Sequence, residues 1–437
     1  MGIPAYFAYI VKNHTKVLKS MFAMRGTVFH NLYLDSNSII YDAFHEIYKT
    51  DPANSASYEH ILALICSKIQ AYIDQINPSN VIYIAFDGNA PPAKWAQQQK
   101  RRYLKTYLEE NGCAEITTGI STNIITPGTD FMLFLSKYVE NYGFVSRAKI
   151  IISTPMIDGE GEHKIFQYIR ENRDVHKGQN TIVYGLDADL LMLSMLHIEL
   201  TNLYVYRETP EFVKSLNIEL DNGVGYFLDI HELCESLFKE MNMETDGVSC
   251  TKMSRVHDYV CLCFFLGNDF LPRIPTLNIR KDGIQVLMNA YRACVVRGRL
   301  VDIWNGAYIW ENVNKVISWI AEREEGILLR HKKMDERKEF RLGENVERYV
   351  SVGEEGWRER YEKVCGERKE YKEGMLWVLK YYMGEEVLEW KWKGEMGKLM
   401  KEIEEERDVE EVKERKEEEI LEEKKERRKG WKKYIWE

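Results

Sequence analysis

The sequence has no apolar run long enough to cross a bilayer, and its start lacks the marks of a secreted protein. Residues 1–6 have neither the basic start nor the apolar core of a signal peptide. Position 6 is not the Ser or Thr that myristoylation of Gly2 favours. Eight cysteines in 437 residues are too few for a disulfide framework. We therefore expect an intracellular protein, cytoplasmic or nuclear, with reduced thiols and no membrane partner.

A zinc-finger pattern is also missing. Cys261 and Cys263 form a C-x-C inside an apolar segment, but no second pair stands at the required spacing. Both residues are expected to be buried thiols.

Basic residues are outnumbered by acidic ones, 60 to 69, and the formal net charge is −9. Nucleic-acid binding follows local patches rather than the net charge, so this average does not exclude it. No acidic residue occurs from 88 to 108, where the chain carries Lys94, Lys100, Arg101, Arg102 and Lys105.

What the sequence does have is an alternation of short β-branched runs and helical stretches over its first 290 or so residues. Strands are predicted at 31–34, 81–86, 148–153, 181–184 and 203–206, and helices at 58–76, 129–142, 161–172 and 255–266. This order predicts the α/β class, with a mainly parallel sheet flanked by helices. Ligands of such sheets bind at the carboxyl ends of the strands.

Acidic residues stand at those strand ends. Asp35, Asp87 and the pair Asp187/Asp189 each follow a predicted strand, and further acids lie in glycine-rich or apolar frames at Glu160, Glu162 and Asp269. Buried carboxylates are costly unless a cation lies among them. Oxygen ligands of this kind suit Mg²⁺ or Mn²⁺, and two such ions commonly serve phosphodiester cleavage. The pattern predicts a metal-dependent nuclease, although the usual preference for acids at a helix N-terminus also explains one of the two glutamates.

Beyond Asp87 a turn leads into a basic helix. Lys94, Gln98, Arg101 and Arg102 fall on one face of it, at positions i, i+4, i+7 and i+8. Such a face next to a metal site can hold a terminal phosphate. A basic face that only contacts solvent is the alternative, and the proximity of Asp87 favours the phosphate pocket.

Near residue 320 the composition changes. From 402 to 428 the chain consists almost entirely of Glu, Lys and Arg, with aliphatic residues at intervals, which predicts a long solvated helix. The run 424–429 has the composition of a nuclear address or a phosphate-binding patch.

Several blocks of the chain, in the family's order, strongly resemble the XRN family of 5′→3′ exoribonucleases. They are 1–4, 31–37, 85–102, 125–129, 159–165, 184–190 and 265–272. A looser match to the family's second conserved region covers 356–361 and 374–382. The resemblance implies an N-terminal nuclease domain at 1–290, a reduced helical second region at 291–395 and a charged helical tail at 396–437.

The resemblance also implies roles. The family has a PIN-like, flap-nuclease-type fold, needs Mg²⁺ or Mn²⁺, and releases 5′-mononucleotides from single-stranded RNA with a 5′-monophosphate. The seven metal-site acids correspond to Asp35, Asp87, Glu160, Glu162, Asp187, Asp189 and Asp269, which are both the catalytic and the metal-binding candidates. The 5′-phosphate pocket corresponds to Lys94, Gln98, Arg101 and Arg102, with Lys94 also a catalytic candidate.

The chain departs from the family pattern at several positions. Tyr41 replaces a histidine that stacks on the terminal base, and a tyrosine can still stack. Gln99 stands at a usually basic position, and Arg273 follows the last block. The aromatic and proline-rich stretch that normally follows the second region is reduced to Trp390 and Trp392, which bears on processivity.

Two other functions stay open. A structure-specific 5′ nuclease acting on DNA flaps would share the acids and the basic helix, but no glycine-rich helix-two-turn-helix for duplex DNA follows Asp269. A non-catalytic RNA-binding relative would keep the fold, but it would not need all seven acids.

Overall fold

The structure is a computed structural model, and it describes residues 3, 5–50, 57–111, 122–208, 225–242, 250–295, 298–336, 349–365, 370–385, 387, 390–393, 396–406 and 408. Of the basic run 88–108, the side chain of Lys105 lies outside them, and so do residues 1, 2 and 4 of the first motif block.

A seven-stranded sheet forms the centre of the protein, in the order β1-β7-β6-β5-β2-β3-β4. The strands are β1 (Leu18–Ser20), β2 (Asn31–Asp35), β3 (Val81–Ala85), β4 (Lys149–Ser153), β5 (Asn180–Tyr184), β6 (Asn202–Arg207) and β7 (Tyr226–Asp229). The five strands from β2 to β6 are all parallel. The predicted mainly parallel sheet is confirmed. From the central neighbours β2 and β5, the strand order continues to β3 and β4 on one side and to β6 and β7 on the other.

Two short strands of this sheet were missed by the sequence analysis. β7 pairs antiparallel with β6, and β1 pairs antiparallel with β7. They close one edge of the sheet and are only four and three residues long, too short to show an alternating pattern.

Helices cover both faces of the sheet. Over the first part of the chain they are α1 (Tyr6–Asn13), α2 (Asn37–Thr50), α3 (Tyr58–Ile76), α4 (Pro92–Glu110), α5 (Asp130–Asn141), α6 (Gly161–Glu171), α7 (Arg173–His176), α8 (Asp189–Leu196), α9 (Ile230–Asn242) and α10 (Lys252–Phe264). Strand side chains alternate between two apolar clusters, because successive residues of a strand point to opposite faces. Tyr33 belongs to the cluster that includes α6 and α10, whereas Leu32 and Leu34 belong to the cluster that includes α2, α3 and α5.

The second half of the chain is mainly helical. It contains α11 (Gly283–Cys294), α12 (Trp310–Ala321), α13 (Glu324–Glu336), α14 (Trp357–Cys365), α15 (Tyr371–Met383) and α16 (Met400–Glu404), with a small hairpin of β8 (Val301–Asp302) and β9 (Ala307–Tyr308). One apolar cluster includes residues from Ile3 to Ile403. The regions 1–290 and 291–395 therefore share a core, and their boundaries stay a prediction.

The start of the charged tail differs from the expected solvated helix. α16 ends at Glu404, and Ile403 is buried against the rest of the protein. The Glu406 carboxylate accepts hydrogen bonds from the backbone N–H groups of Tyr371 and Lys372, each at 3.0 Å. Residues 409–437, including the run 424–429, lie outside the described residues.

The described residues include seven of the eight cysteines. Every cysteine among them is a free thiol, and Cys261 and Cys263 are buried as predicted. Burial raises the pKa of both thiols. Among the described helices, none combines the length and the apolar character needed to span a bilayer.

Candidate metal centre and the adjoining cationic helix

The carboxyl ends of the central strands bring the first acids together. Asp35 is the last residue of β2, and Leu34 pairs with Tyr184 at the end of β5, three residues before Asp187. A methyl group added at Gly161, the first residue of α6, would lie 2.7 Å from Asp35 Oδ1 and 3.4 Å from Asp87 Oδ1. The N-terminus of α6 therefore lies directly against both carboxylates, and a side chain at position 161 would displace the Asp35 carboxylate.

Asp87 is fixed by two donors. Asn37 Nδ2 donates to Asp87 Oδ2 at 2.5 Å, and the Gly161 backbone N–H donates to Asp87 Oδ1 at 2.6 Å. Burial and the neighbouring Glu160 raise the pKa of Asp87 to about 6, although the Gly161 N–H and Lys94 oppose the shift. The orientation of this carboxylate is thus set before any ligand binds.

Lys94 lies between acids from two distant segments. Its ammonium donates to Glu160 Oε1 and is 2.9 Å from Asp269 Oδ2. Burial alone would lower the pKa of Lys94, but Glu160, Asp269 and Glu162 raise it well above its usual value. The side chain therefore stays charged in a buried position.

Asp269 follows a tight turn that depends on Gly267. Gly267 has φ +84°, and a methyl group there would lie 2.6 Å from the backbone nitrogen of Arg273. Gln97 Nε2 donates to Asp269 Oδ1 at 2.9 Å, and Arg101 Nη2 donates to the same atom at 3.2 Å. Burial favours the neutral form of Asp269, but Lys94 and the hydrogen bond from Gln97 hold its pKa below the ordinary range.

Glu162 and Asp189 are buried carboxylates with unpaired oxygens. Glu162 Oε2 and Asp189 Oδ1 have no hydrogen-bond partner among the described residues. Burial, followed by repulsion from Asp189, raises the pKa of Glu162 well above its usual value. Burial and repulsion from Asp269 raise the pKa of Asp189 to about 7. Buried acceptors without donors are what a hard divalent cation would satisfy, so these residues fit Mg²⁺ or Mn²⁺.

The remaining acids belong to the same cluster. Burial, with Asp87 and Asp187 next, raises the pKa of Asp35 well above its usual value. Asp187 also contributes to the raised pKa of Glu162. Ligand atoms of Glu160, Glu162 and His163 lie within 4.8 Å of one another. The structure therefore brings all seven sequence-predicted acids to one edge of the sheet.

The cationic face of α4 opens beside this cluster. Lys94 and Arg101 contact the acids directly, whereas Arg101 and Arg102 act electrostatically on Tyr41. Burial and Asp87 raise the pKa of the Tyr41 hydroxyl, and the two arginines oppose this shift. Tyr41 is 40% exposed, so its side chain is accessible to solvent. Gln98 is half-buried on the same helix, and its place in the pocket stays a prediction.

Sequence reasoning missed several side chains that hold the acids in place. Asn37 and Gln97 lie inside the motif blocks 31–37 and 85–102, close in sequence to Asp35 and Lys94. This closeness was the only sign in the sequence that they hold the acids. Tyr381 and Tyr382 come from α15, far away in sequence. The looser motif match at 374–382 was the only sequence signal for this segment, and it does not say that the two tyrosines contact the acids.

A parallel sheet with buried carboxylates at its carboxyl edge, next to a cationic helix, defines an α/β protein with an acidic site where ligands of such sheets bind. Two family models match this chain: the XRN 5′-3′ exonuclease N-terminus over residues 1–209 and the Xrn1 helical domain over residues 252–351. The chain belongs to the XRN family.

Curated relatives agree with this assignment. The 5′-3′ exoribonuclease 1 of Saccharomyces cerevisiae is 32% identical over 68% of this chain and 21% of its own length. The 5′-3′ exoribonuclease 2 homolog of Caenorhabditis briggsae is 30% identical over 77% of this chain and 42% of its own length. The chain thus spans less than half the length of either relative. A solved structure of the catalytic core of Rad2 aligns with 91% of both chains at 12% identity and a TM-score of 0.38.

Proposed function

We propose that this chain is a metal-dependent 5′→3′ exoribonuclease that degrades 5′-monophosphorylated RNA to 5′-mononucleotides. The observation that carries the proposal is the cluster of seven acids at one sheet edge, two of them with unpaired buried oxygens, next to the cationic face of α4. The names of its relatives support the same reaction. A binding protein of this fold would gain nothing from so costly a set of charges.

Two Mg²⁺ or Mn²⁺ ions are the proposed cofactors. Asp35, Asp87 and Glu160 are assigned to one ion and Asp187, Asp189 and Asp269 to the other, with Glu162 between them. Held by these residues, the two ions would supply a lowered pKa for the attacking water and charge stabilisation for the leaving 3′-oxygen. The protein supplies the orientation: Asn37 and the Gly161 N–H fix Asp87, and Gln97 fixes Asp269.

Lys94 is assigned a direct part in catalysis. Its ammonium is buried, charged and bonded to Glu160 and Asp269, so it is placed to neutralise charge that develops on the scissile phosphate. Arg101, Arg102 and Gln98 are assigned to the terminal 5′-phosphate, since guanidinium groups bind phosphate oxygens in pairs. This pocket gives the enzyme its direction, because only a 5′ end carries that group.

Tyr41 is assigned to the first base. Its exposed ring stands beside the arginines that would hold the terminal phosphate, so a base attached to that phosphate can stack on it. Stacking accepts any base, which suits degradation rather than sequence recognition.

A time course tests the proposal. Single-stranded RNA with a 5′-monophosphate is incubated with the chain in EDTA and in Mn²⁺, and the products are resolved by length. We expect mononucleotides from the earliest times, in Mn²⁺ only. Longer fragments, or cleavage of a DNA flap in place of RNA, would contradict the proposal.

Asp187→Asn is the matched variant for this assay, because it removes one charge and keeps the shape. We expect cleavage to be lost and RNA binding to remain. Full cleavage activity in this variant would remove Asp187 from the proposed metal site.

A further inference from the structure

The helix α15 places two consecutive tyrosines against the acidic cluster. Tyr381 OH donates to Glu160 Oε2 at 2.9 Å, and Tyr382 OH donates to the Asp189 carboxylate. α15 (Tyr371–Met383) lies outside both matched family segments, which end at residue 351. This helix, which contains the looser motif match at 374–382, therefore contributes hydrogen-bond donors to two of the proposed metal ligands.

Tyr381 is a second hydrogen-bond donor to the Glu160 carboxylate, in addition to Lys94. The two carboxylate oxygens of Glu160 accept from different donors, Oε1 from Lys94 and Oε2 from Tyr381. The Tyr381 ring is held between neighbours: its centroid is 3.9 Å from that of His163 and 5.2 Å from that of Trp377. The hydroxyl thus has a fixed position, and it fixes the plane of the Glu160 carboxylate.

Tyr382 acts in the same way on Asp189. Its side chain is only 1% exposed, and its ring packs on Phe264, with the ring centroids 5.1 Å apart. Since Asp189 Oδ1 has no partner among the described residues, the bond from Tyr382 leaves one oxygen of Asp189 available to a cation.

We infer that Tyr381 and Tyr382 are positioning residues that orient Glu160 and Asp189 for metal binding, one carboxylate for each proposed ion. Hydrogen-bond donors behind metal ligands commonly change metal affinity or activity by about 10- to 100-fold. The inference rests on the proposed function, because it assumes that the acids bind Mg²⁺ or Mn²⁺. It makes α15 part of the metal site rather than a packing element alone.

Tyrosine-to-phenylalanine substitutions test the inference, because they keep the ring packing and remove only the hydroxyl. Mn²⁺ binding to the full chain is measured by isothermal titration calorimetry in wild type, Tyr381→Phe and Tyr382→Phe. We expect the Kd for Mn²⁺ to rise about 10-fold or more in each variant. We also expect the cleavage rate to need correspondingly more Mn²⁺ and to recover when Mn²⁺ is raised.

Tyr371→Phe is the matched control. Tyr371 is a buried tyrosine of the same helix, but its hydroxyl donates to the Pro272 carbonyl at 3.0 Å, away from the acids. This variant should lose a similar amount of thermal stability and keep the wild-type Kd for Mn²⁺. An equal rise in Kd in all three variants would show a general effect of destabilising α15 and would overturn the inference.

Two further results would separate a failure of the positioning role from a failure of the proposed function. If wild type binds Mn²⁺ and both Tyr381→Phe and Tyr382→Phe bind it equally well, the positioning role is wrong and the proposed function stands. If wild type binds no Mn²⁺, the proposed function fails and this inference fails with it.

Discussion

Replacing Asp189 by asparagine should stabilise the metal-free protein. Asp189 is buried, has one unpaired oxygen and is repelled by Asp269. Asparagine has nearly the same shape and can still accept the hydrogen bond from Tyr382. The substitution therefore removes an uncompensated charge without opening a cavity.

The size of the effect follows from the pKa of this carboxyl group. Burial and Asp269 raise the pKa of Asp189 from 3.8 to about 7. Each pKa unit corresponds to about 1.4 kcal/mol, so the ionised carboxylate costs the native state about 4 kcal/mol. This value is an upper limit on the gain for Asp189→Asn, because the other acids share the repulsion.

The pH dependence has a definite sign. Between about pH 4 and pH 7 the native protein holds the Asp189 proton and the unfolded chain has released it, so wild-type stability falls as the pH rises. The advantage of Asp189→Asn should be absent below about pH 4, grow through this interval and stay constant above about pH 7.

Urea unfolding in EDTA at several pH values measures the difference in stability between wild type and Asp189→Asn. The same series in saturating Mn²⁺ shows how much stability each protein gains from the ion. In Mn²⁺ the wild type should gain stability because its charges are then compensated, whereas Asp189→Asn should gain much less. Asp74→Asn, the same change at an exposed position of α3, should alter the free energy of unfolding by less than about 0.5 kcal/mol. A wild type that is more stable than Asp189→Asn in EDTA at about pH 8 would refute the reasoning.

Three other outcomes are expected. Wild type should degrade 5′-monophosphate RNA faster than 5′-hydroxyl or 5′-triphosphate RNA. Replacing Arg101 and Arg102 by glutamine should reduce this preference by about 10- to 100-fold. Equal rates of wild type on all three RNA ends would exclude end recognition by α4. Tyr41→Ala should weaken RNA binding by about 1–3 kcal/mol while Tyr41→Phe retains it, as measured by fluorescence anisotropy, and equal affinities would exclude stacking on this ring. Gly161→Ala would place a methyl group 2.7 Å from the Asp35 carboxylate and should lower the free energy of unfolding in urea by about 1–3 kcal/mol. Gly326→Ala in α13 is the control, because nothing lies within 4 Å of that position, and it should not destabilise the protein.

Much of the fold could be predicted because its central elements are regular and buried. β2, β3, β5 and β6 each lie within about one residue of the predicted strands, since continuous β-branched runs are typical of strands covered on both faces. The antiparallel strands β1 and β7 could not be found in this way. They are too short for a pattern, and their pairing depends on segments that are distant along the chain.

The acids of the candidate site were also predictable, for a topological reason. Parallel strands deliver their carboxyl ends to one edge, so Asp35, Asp87 and Asp187 had to be neighbours once the sheet was correct. The donors behind the acids were not predictable. That Gln97 contacts Asp269, and that Glu406 is buried against α15 instead of solvated, depends on how helices pack.

The sequence by itself determined the strands, the acids at their ends and the basic face of α4, because each of these is written in local spacing and periodicity. Only the tertiary structure decided which donor holds which carboxylate, and that two tyrosines of a distant helix face Glu160 and Asp189. The physical reason is that local periodicity indicates whether a side chain is buried. Which partner it contacts depends on how segments that are distant along the chain pack together, and no local pattern in the sequence encodes that packing.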